Sequence, residues 1–220
     1  MKQDISVVVA ITGASGAAYA VRLLQGLLKG DHAVDLVVSE AARQVMLYET
    51  GTPFPSDTAP ESEWKCLIAG CLSDRNSESW SFKPTETAEL SGSLRIHHAL
   101  DFSAGIASGS SETRGMVICP CSTGTLSAVA SGASTNLIHR AADVHLKERR
   151  KLILVPRETP LSRITISNML AVTDAGAVVL PAMPGYYHQP RAVADLVDFV
   201  VARICDQLQI THHFSSRWGE

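Results

Sequence analysis

Residues 5–29 read ISVVVAIT, then GASG, then AAYAVRLLQGLLK, and the change of period across this stretch decides the fold. Residues 5–12 form a short β-branched run bounded by glycine, the pattern of a strand buried on both faces in a parallel sheet. Gly13, Ala14, Ser15 and Gly16 supply a turn, and residues 17–29 carry apolar side chains at helical spacing until Gly30. A buried strand, a tight turn and an amphipathic helix make the first half of a βαβ unit.

The same alternation recurs along the chain. Strands are predicted at 33–39, 94–99, 116–119, 151–155 and 177–180. Helices are predicted at 40–49, 63–72, 123–131, 136–148, 162–175 and 192–208. Residues 51–94 differ: Pro53, Pro55, Pro60 and Pro84 and many Ser and Thr mark an irregular insertion. The expectation is one α/β domain over residues 1–220, three-layered, with a mainly parallel Rossmann-like or flavodoxin-like sheet.

Composition bounds the function. The 220 residues carry 22 Asp+Glu against 19 Lys+Arg, a formal charge of −3, which argues against a general nucleic-acid binder. Aromatic residues are only 5%, so a site walled by stacked rings is not expected. The five cysteines, at 66, 71, 119, 121 and 205, have no zinc-site spacing and read as reduced thiols. Two adjacent histidine pairs, His97-His98 and His212-His213, suggest no shared metal, because chain neighbours rarely point at one ion. Lys2 and the apolar residues after it resemble a signal peptide, but Asp4 spoils the basic leader and the GASG turn breaks the apolar run. With no apolar stretch of about 18 residues either, a cytoplasmic protein that does not enter a membrane is expected.

In doubly wound sheets, ligands bind beyond the carboxyl ends of the strands. After the first strand comes the GASG turn, which is neither a Gly-x-Gly-x-x-Gly fingerprint nor a Walker loop. After the second comes Ser39. After the 116–119 strand, Ser122, Thr123, Gly124 and Thr125 open a helix, whose free N–H groups favour an anion. An ordinary N-cap by Ser122 explains one hydroxyl of the three. Arg157-Glu158 stands between Pro156 and Pro160, where a structural ion pair competes with a phosphate-gripping arginine beside a proton-handling carboxyl. Arg140 and Lys147 are seven apart on one helix face, either solvated or a cationic wall. Arg203 interrupts the apolar stripe of Val200, Val201, Ile204 and Leu208, as a ligand-directed charge or a snorkelling one. These features describe an α/β protein that binds one or two phosphorylated small molecules, and they do not name the reaction.

Seven motifs do more together. GASG at 13–16, VSEAA at 38–42, CPCSTGTLS at 119–127, RAADV at 140–144, LKERR at 146–150, VPRETP at 155–160 and GYYHQP at 185–190 resemble, in order and spacing, the UbiX-type flavin prenyltransferases (UbiX/Pad family). The match spans the chain outside about residues 51–100. The resemblance implies a homo-oligomer, typically a dodecamer. It would transfer a dimethylallyl group from dimethylallyl monophosphate to N5 and C6 of reduced FMN, without a metal. The prenylated FMN would serve a UbiD-type decarboxylase. By the same resemblance, Gly13, Ala14, Ser15, Ser39, Ser122, Thr123, Gly124, Thr125 and Arg157 hold FMN. Tyr187 and Arg203 hold the prenyl phosphate, with Lys147, Glu158 and Arg140 about its pocket. Glu49 and Ser15 join Glu158 and Lys147 as catalytic candidates. Phe102 stands where the family often has Trp. The competing reading is a flavin-dependent decarboxylase of the cysteine-decarboxylase type or an aromatic acid decarboxylase. The cysteine type has a catalytic His and a Pro-Ala-Ser-Ala-Asn-Thr turn, where this chain has Pro120-Cys121-Ser122-Thr123-Gly124-Thr125.

Overall fold

A computed structural model describes residues 5–73 and 80–215. Six strands, β1 (Ser6–Ile11), β2 (Val34–Val38), β3 (Leu94–His97), β4 (Thr113–Cys121), β5 (Leu152–Pro156) and β6 (Val178–Val179), form one sheet in the order β3-β2-β1-β4-β5-β6. Every pairing is parallel, so the sheet is wholly parallel where a mainly parallel one is expected. This is the doubly wound Rossmann order, and its winding reverses at β1.

Alternation along the strands makes two cores. Val7, Val9 and Ile11 face one layer with Val34, Leu36, Val117 and Cys119. Val8 and Ala10 face the other with Val37, Met116, Ile118 and Leu154. The first layer is covered by α1 (Ala17–Lys29), α2 (Glu40–Thr50), α3 (Glu61–Gly70) and α7 (Val193–Gln207). The second is covered by α4 (Thr123–Ser131), α5 (Leu137–Lys147) and α6 (Arg163–Asp174). In α1, Leu23, Leu24, Leu27 and Leu28 are fully buried, each contributing about 1.5–3 kcal/mol of transfer free energy.

Two features depart from the sequence expectation. β4 begins three residues before Met116 and runs through Pro120, because a register shift after Ile118 lets Cys121 pair with Pro156. The 51–94 segment contributes a fully buried Trp64, stacked on Phe54 with ring centroids 5.5 Å apart, and buried Ile68, Leu72, Phe82 and Leu90. Glu61 ties it to the sheet by accepting the Leu94 N–H at 3.0 Å. Residues 74–79 of that segment lie outside the described residues.

Candidate active site

The turns after β1 and β4 meet at the reversal of winding. Thr12, buried at the end of β1, joins them: its hydroxyl donates to the Pro120 carbonyl at 2.8 Å and accepts the Ser122 N–H at 2.8 Å. Thr12 is a residue sequence reasoning misses; its signal is a lone hydroxyl closing an apolar strand. Gly13 is required where it stands, since a Cβ there would lie 2.5 Å from the Ala41 Cβ at the start of α2. Ser39 caps α2 by accepting the Ala42 N–H at 3.2 Å, and its own N–H donates to the Ile11 carbonyl at 3.0 Å. Arg157, at the exit of β5, donates from Nε to the Ser15 carbonyl at 3.2 Å. Thus Gly13, Ala14, Ser15, Ser39, Ser122 and Arg157 lie on one edge of the sheet.

The two helices that open there have different N-termini. Ser122 caps α4, accepting the Thr125 N–H and donating to the Thr125 Oγ1. The first turn, with Thr123 half-buried and Gly124 exposed, keeps N–H groups that no helix partner satisfies. No atom stands within 4 Å of a Cβ added at Gly124, so the approach is open. Gly16 offers α1 no side-chain cap. Glu49, from the last turn of α2, supplies one: its carboxylate accepts the Gly16 N–H at 3.0 Å to each oxygen and the Ala17 N–H at 2.7 Å. A carboxylate at a helix N-terminus is favoured both by the orphan N–H groups and by the helix dipole. Glu158, beside Arg157, is half-buried and accepts the Thr159 N–H at 3.0 Å.

Burial pushes the Cys121 thiol up to about 12 and raises Cys119 as well. Both stay protonated at neutral pH and supply no nucleophile. Among the described residues, no group of three or more His, Cys, Asp or Glu is placed to hold a metal ion.

Tyr187 and Arg203 form a second group. Tyr187 packs edge-on against Phe199 of α7 at 5.5 Å, and Arg203 is one helical turn further along. Phe199 and Arg203 line a groove of about 260 Å³ against β6, together with Met183 and Gln207. Arg203 is half-exposed and pairs with Asp206 at 2.7 Å. The α1 helix is bound to α7 by a two-pronged Arg22–Asp198 pair at 2.6 and 3.0 Å.

Phe102, Arg140 and Lys147 form a third group, along α5 and the 98–111 loop. Arg140 donates to the Ala107 carbonyl at 3.0 Å and pairs with Asp143. Phe102 is 49% exposed. Lys147 pairs with Glu148, and both lie against Gly109. Lys147 ends the helix that leads into β5, whereas Arg157 follows the exit of β5. Five strand residues at about 3.3 Å each separate the two edges by about 16 Å. One chain does not bring Lys147 to Arg157.

A cavity of about 510 Å³ lies away from the edge where the β1, β4 and β5 exits meet, lined by Ser6, Asp35, Arg95, His97 and Glu112 among others. Its buried charge is answered internally: Asp35 accepts from Arg95 at 2.9 and 2.8 Å, from Ser6 at 2.5 Å, and meets His97 at 2.7 Å.

The family described as Flavoprotein matches residues 1–205. The chain is 49% identical over 214 residues to the flavin prenyltransferase UbiX of Pseudomonas aeruginosa, covering 97% of this chain and 94% of that one. Its fold is similar to that of AnUbiX (PadA1), solved in complex with FMN and dimethylallyl pyrophosphate. The TM-score is 0.79 at 35% identity, over 99% of each chain. It is also similar to the dodecameric FMN-dependent UbiX-like decarboxylase of Escherichia coli O157:H7, with a TM-score of 0.77 at 35% identity, over 98% of this chain and all of that one.

Proposed function

This chain belongs to the Flavoprotein family and within it to the UbiX group, and from that premise we propose that it is a flavin prenyltransferase acting on reduced FMN. The observation that carries the reading is the meeting of the β1, β4 and β5 exits, where Thr12 joins two turns and Arg157 reaches the Ser15 carbonyl. The residues present fit FMN: the first turn of α4 is open and Ser122 caps only one of its N–H groups, so that turn and the hydroxyls at Ser122 and Thr123 suit a phosphate, with Arg157 a flavin contact near the prenyl phosphate. Gly13, Ala14, Ser15, Ser39, Ser122, Thr123, Gly124, Thr125 and Arg157 would hold it. When bound, the reduced flavin supplies the electron-rich N5 and C6 that accept the dimethylallyl group.

The prenyl donor is dimethylallyl monophosphate in this reading. Breaking its allylic C–O bond leaves negative charge on the phosphate, and cations aimed at that charge lower the barrier. Arg157, Arg203 and Lys147 provide them, with Tyr187 as a hydroxyl donor, Arg140 at the pocket wall and Phe102 against the prenyl chain. Glu158 delivers a proton to the departing phosphate. The released phosphate or Ser15, in the turn after β1, would take up the C6 proton. Glu49 holds the α1 N-terminus that carries that turn.

Because Lys147 and Arg157 stand at opposite edges of one sheet, the reading requires more than one copy. The third group of one subunit then completes the first group of another, in a homo-oligomer of the dodecameric kind. No described helix is long and apolar enough to cross a membrane, and we assign the enzyme to the cytoplasm, with its product passed to a UbiD-type decarboxylase. A decarboxylase reading is not favoured: the turn at 120–125 lacks the motif of the cysteine type.

Anaerobic incubation with reduced FMN and dimethylallyl monophosphate tests the reading. Flavin heavier by one dimethylallyl-derived group is expected. An unchanged flavin, or carbon dioxide released from an added acid, would overturn it.

A further inference from the structure

Among the described residues, His188 has nothing to bond to. Both ring nitrogens are closed off from solvent and neither has a hydrogen-bond partner among the described residues. The ring lies flat on Phe199, centroids 5.4 Å apart and planes 10° apart, and meets the Tyr187 ring edge-on at 6.0 Å. Tyr187 and Phe199 touch in turn at 5.5 Å. Gly185 allows the cluster to close, since a Cβ there would lie 2.8 Å from the Tyr187 ring and 3.1 Å from that of Phe199. Asp195 is near enough for His188 to help hold its carboxyl below the usual range, after the Arg191 and Ala192 N–H groups that bond to it. That carboxylate makes no hydrogen bond to the imidazole.

A phenyl ring would fill the same place against Phe199 without shutting away two polar atoms. Buried polar groups left unpaired cost stability, and those found in native proteins require a reason. Packing supplies none here, because the stacking contact uses only the flat face of the ring. The reason lies in what His188 adjoins. Its chain neighbour Tyr187 is the proposed donor to the prenyl phosphate, and Arg203 follows Phe199 by one turn of α7.

We propose that His188 is a second hydrogen-bonding partner of the prenyl donor's phosphate, brought to it with Tyr187 by the 185–190 loop. The proposal deepens the prenyltransferase reading and rests on it for the identity of the ligand. His188 is in this role a binding residue for the leaving group. It is stored against Phe199 when Tyr187 packs over that ring, and turned outward when Tyr187 engages the phosphate.

The test uses the full-length enzyme with H188F and H188Q. Removing the nitrogens while keeping the ring relieves the orphaned groups, so H188F is expected to melt at or above the wild-type temperature. Its KM for dimethylallyl monophosphate should rise about tenfold, the loss of one hydrogen bond to a charged group, with a smaller change in kcat. H188Q keeps a donor and should recover most of the KM. H188F with a KM within about twofold of wild type would overturn the proposal. So would H188F and H188Q that both lose activity in step with a lower melting temperature. Calorimetric titration with inorganic phosphate separates this from the parent reading. If wild type failed to alkylate FMN, the transferase reading would fall. Weaker phosphate binding by H188F than by wild type would still uphold His188 as an anion ligand, and equal binding would refute it.

Discussion

The sheet edge at the β1, β4 and β5 exits and the α5 face with its 98–111 loop carry candidate groups in opposite ways. At the edge, polar groups are held by the backbone: Thr12 between two turns, Glu49 on two N–H groups of α1, Arg157 on a carbonyl. On the α5 face each cation is answered by a carboxylate close to it in sequence, Arg140 by Asp143 and Lys147 by Glu148. Exposed pairs of that kind contribute about 0–1 kcal/mol, so they release their cation to a better partner at little cost. The edge is fixed by the chain's own backbone, whereas the α5 face presents cations held only by carboxylates near in sequence.

The sharpest way to break this contrast is to remove one cation from each region. Arg157→Ala should lower prenyl transfer by about a hundredfold or more, with unfolding free energy nearly unchanged, since only one long hydrogen bond is lost; kinetics and urea titration measure the two. Lys147→Ala should show a comparable loss. If the regions belong to different subunits, oligomers reassembled from both variants should regain part of the activity. Mixtures as inactive as the parents would place the two cations in independent roles.

Stability effects come next. Glu49→Ala removes the carboxylate from the α1 N-terminus and should cost about 2 kcal/mol of unfolding free energy, with weaker FMN binding in fluorescence titration. Gly13→Ala forces a contact with Ala41 and should cost about 1–3 kcal/mol. Equal stability to wild type would show that the turn and the start of α2 can part. The smallest effect concerns pH and belongs to the α5 side. Burial first, with the Arg150 charge, lowers His145 to about 4, against the carbonyl of Ala141 that holds it up. Its ring meets the Thr113 hydroxyl at 2.8 Å. The unfolded chain therefore binds the proton first, and stability present above about pH 6.5 is lost as pH falls towards 4. Between pH 7 and about pH 5.5 this amounts to roughly 1 kcal/mol, which His145→Asn should abolish in urea unfolding curves.

Much of this was legible because local sequence and tertiary demand agree. The turn residues and periods place α1 and α4 at the residues where they stand, and Ser122 acts as the cap its position suggests. The misreadings occur where remote contacts override local signals. Pro120 reads as the end of a strand, yet β4 passes through it because β5 offers a partner beyond the register shift. Residues 51–94 lack periodicity, yet bury Trp64 and Phe54 through contacts with α1 and the sheet.

The amino-acid order by itself determined the strand–helix alternation, the parallel sheet and the small, hydroxyl-rich strand exits. These depend on side-chain periodicity and turn chemistry within a few residues. Only the folded chain decided that Glu49 caps a helix 33 residues away in sequence and that Thr12 joins two turns. It also decided that Lys147 stands at the opposite edge from Arg157 and that His188 has no hydrogen-bond partner among the described residues. Each of those facts depends on which distant segments the sheet order makes neighbours, and that is a property of the packed molecule as a whole.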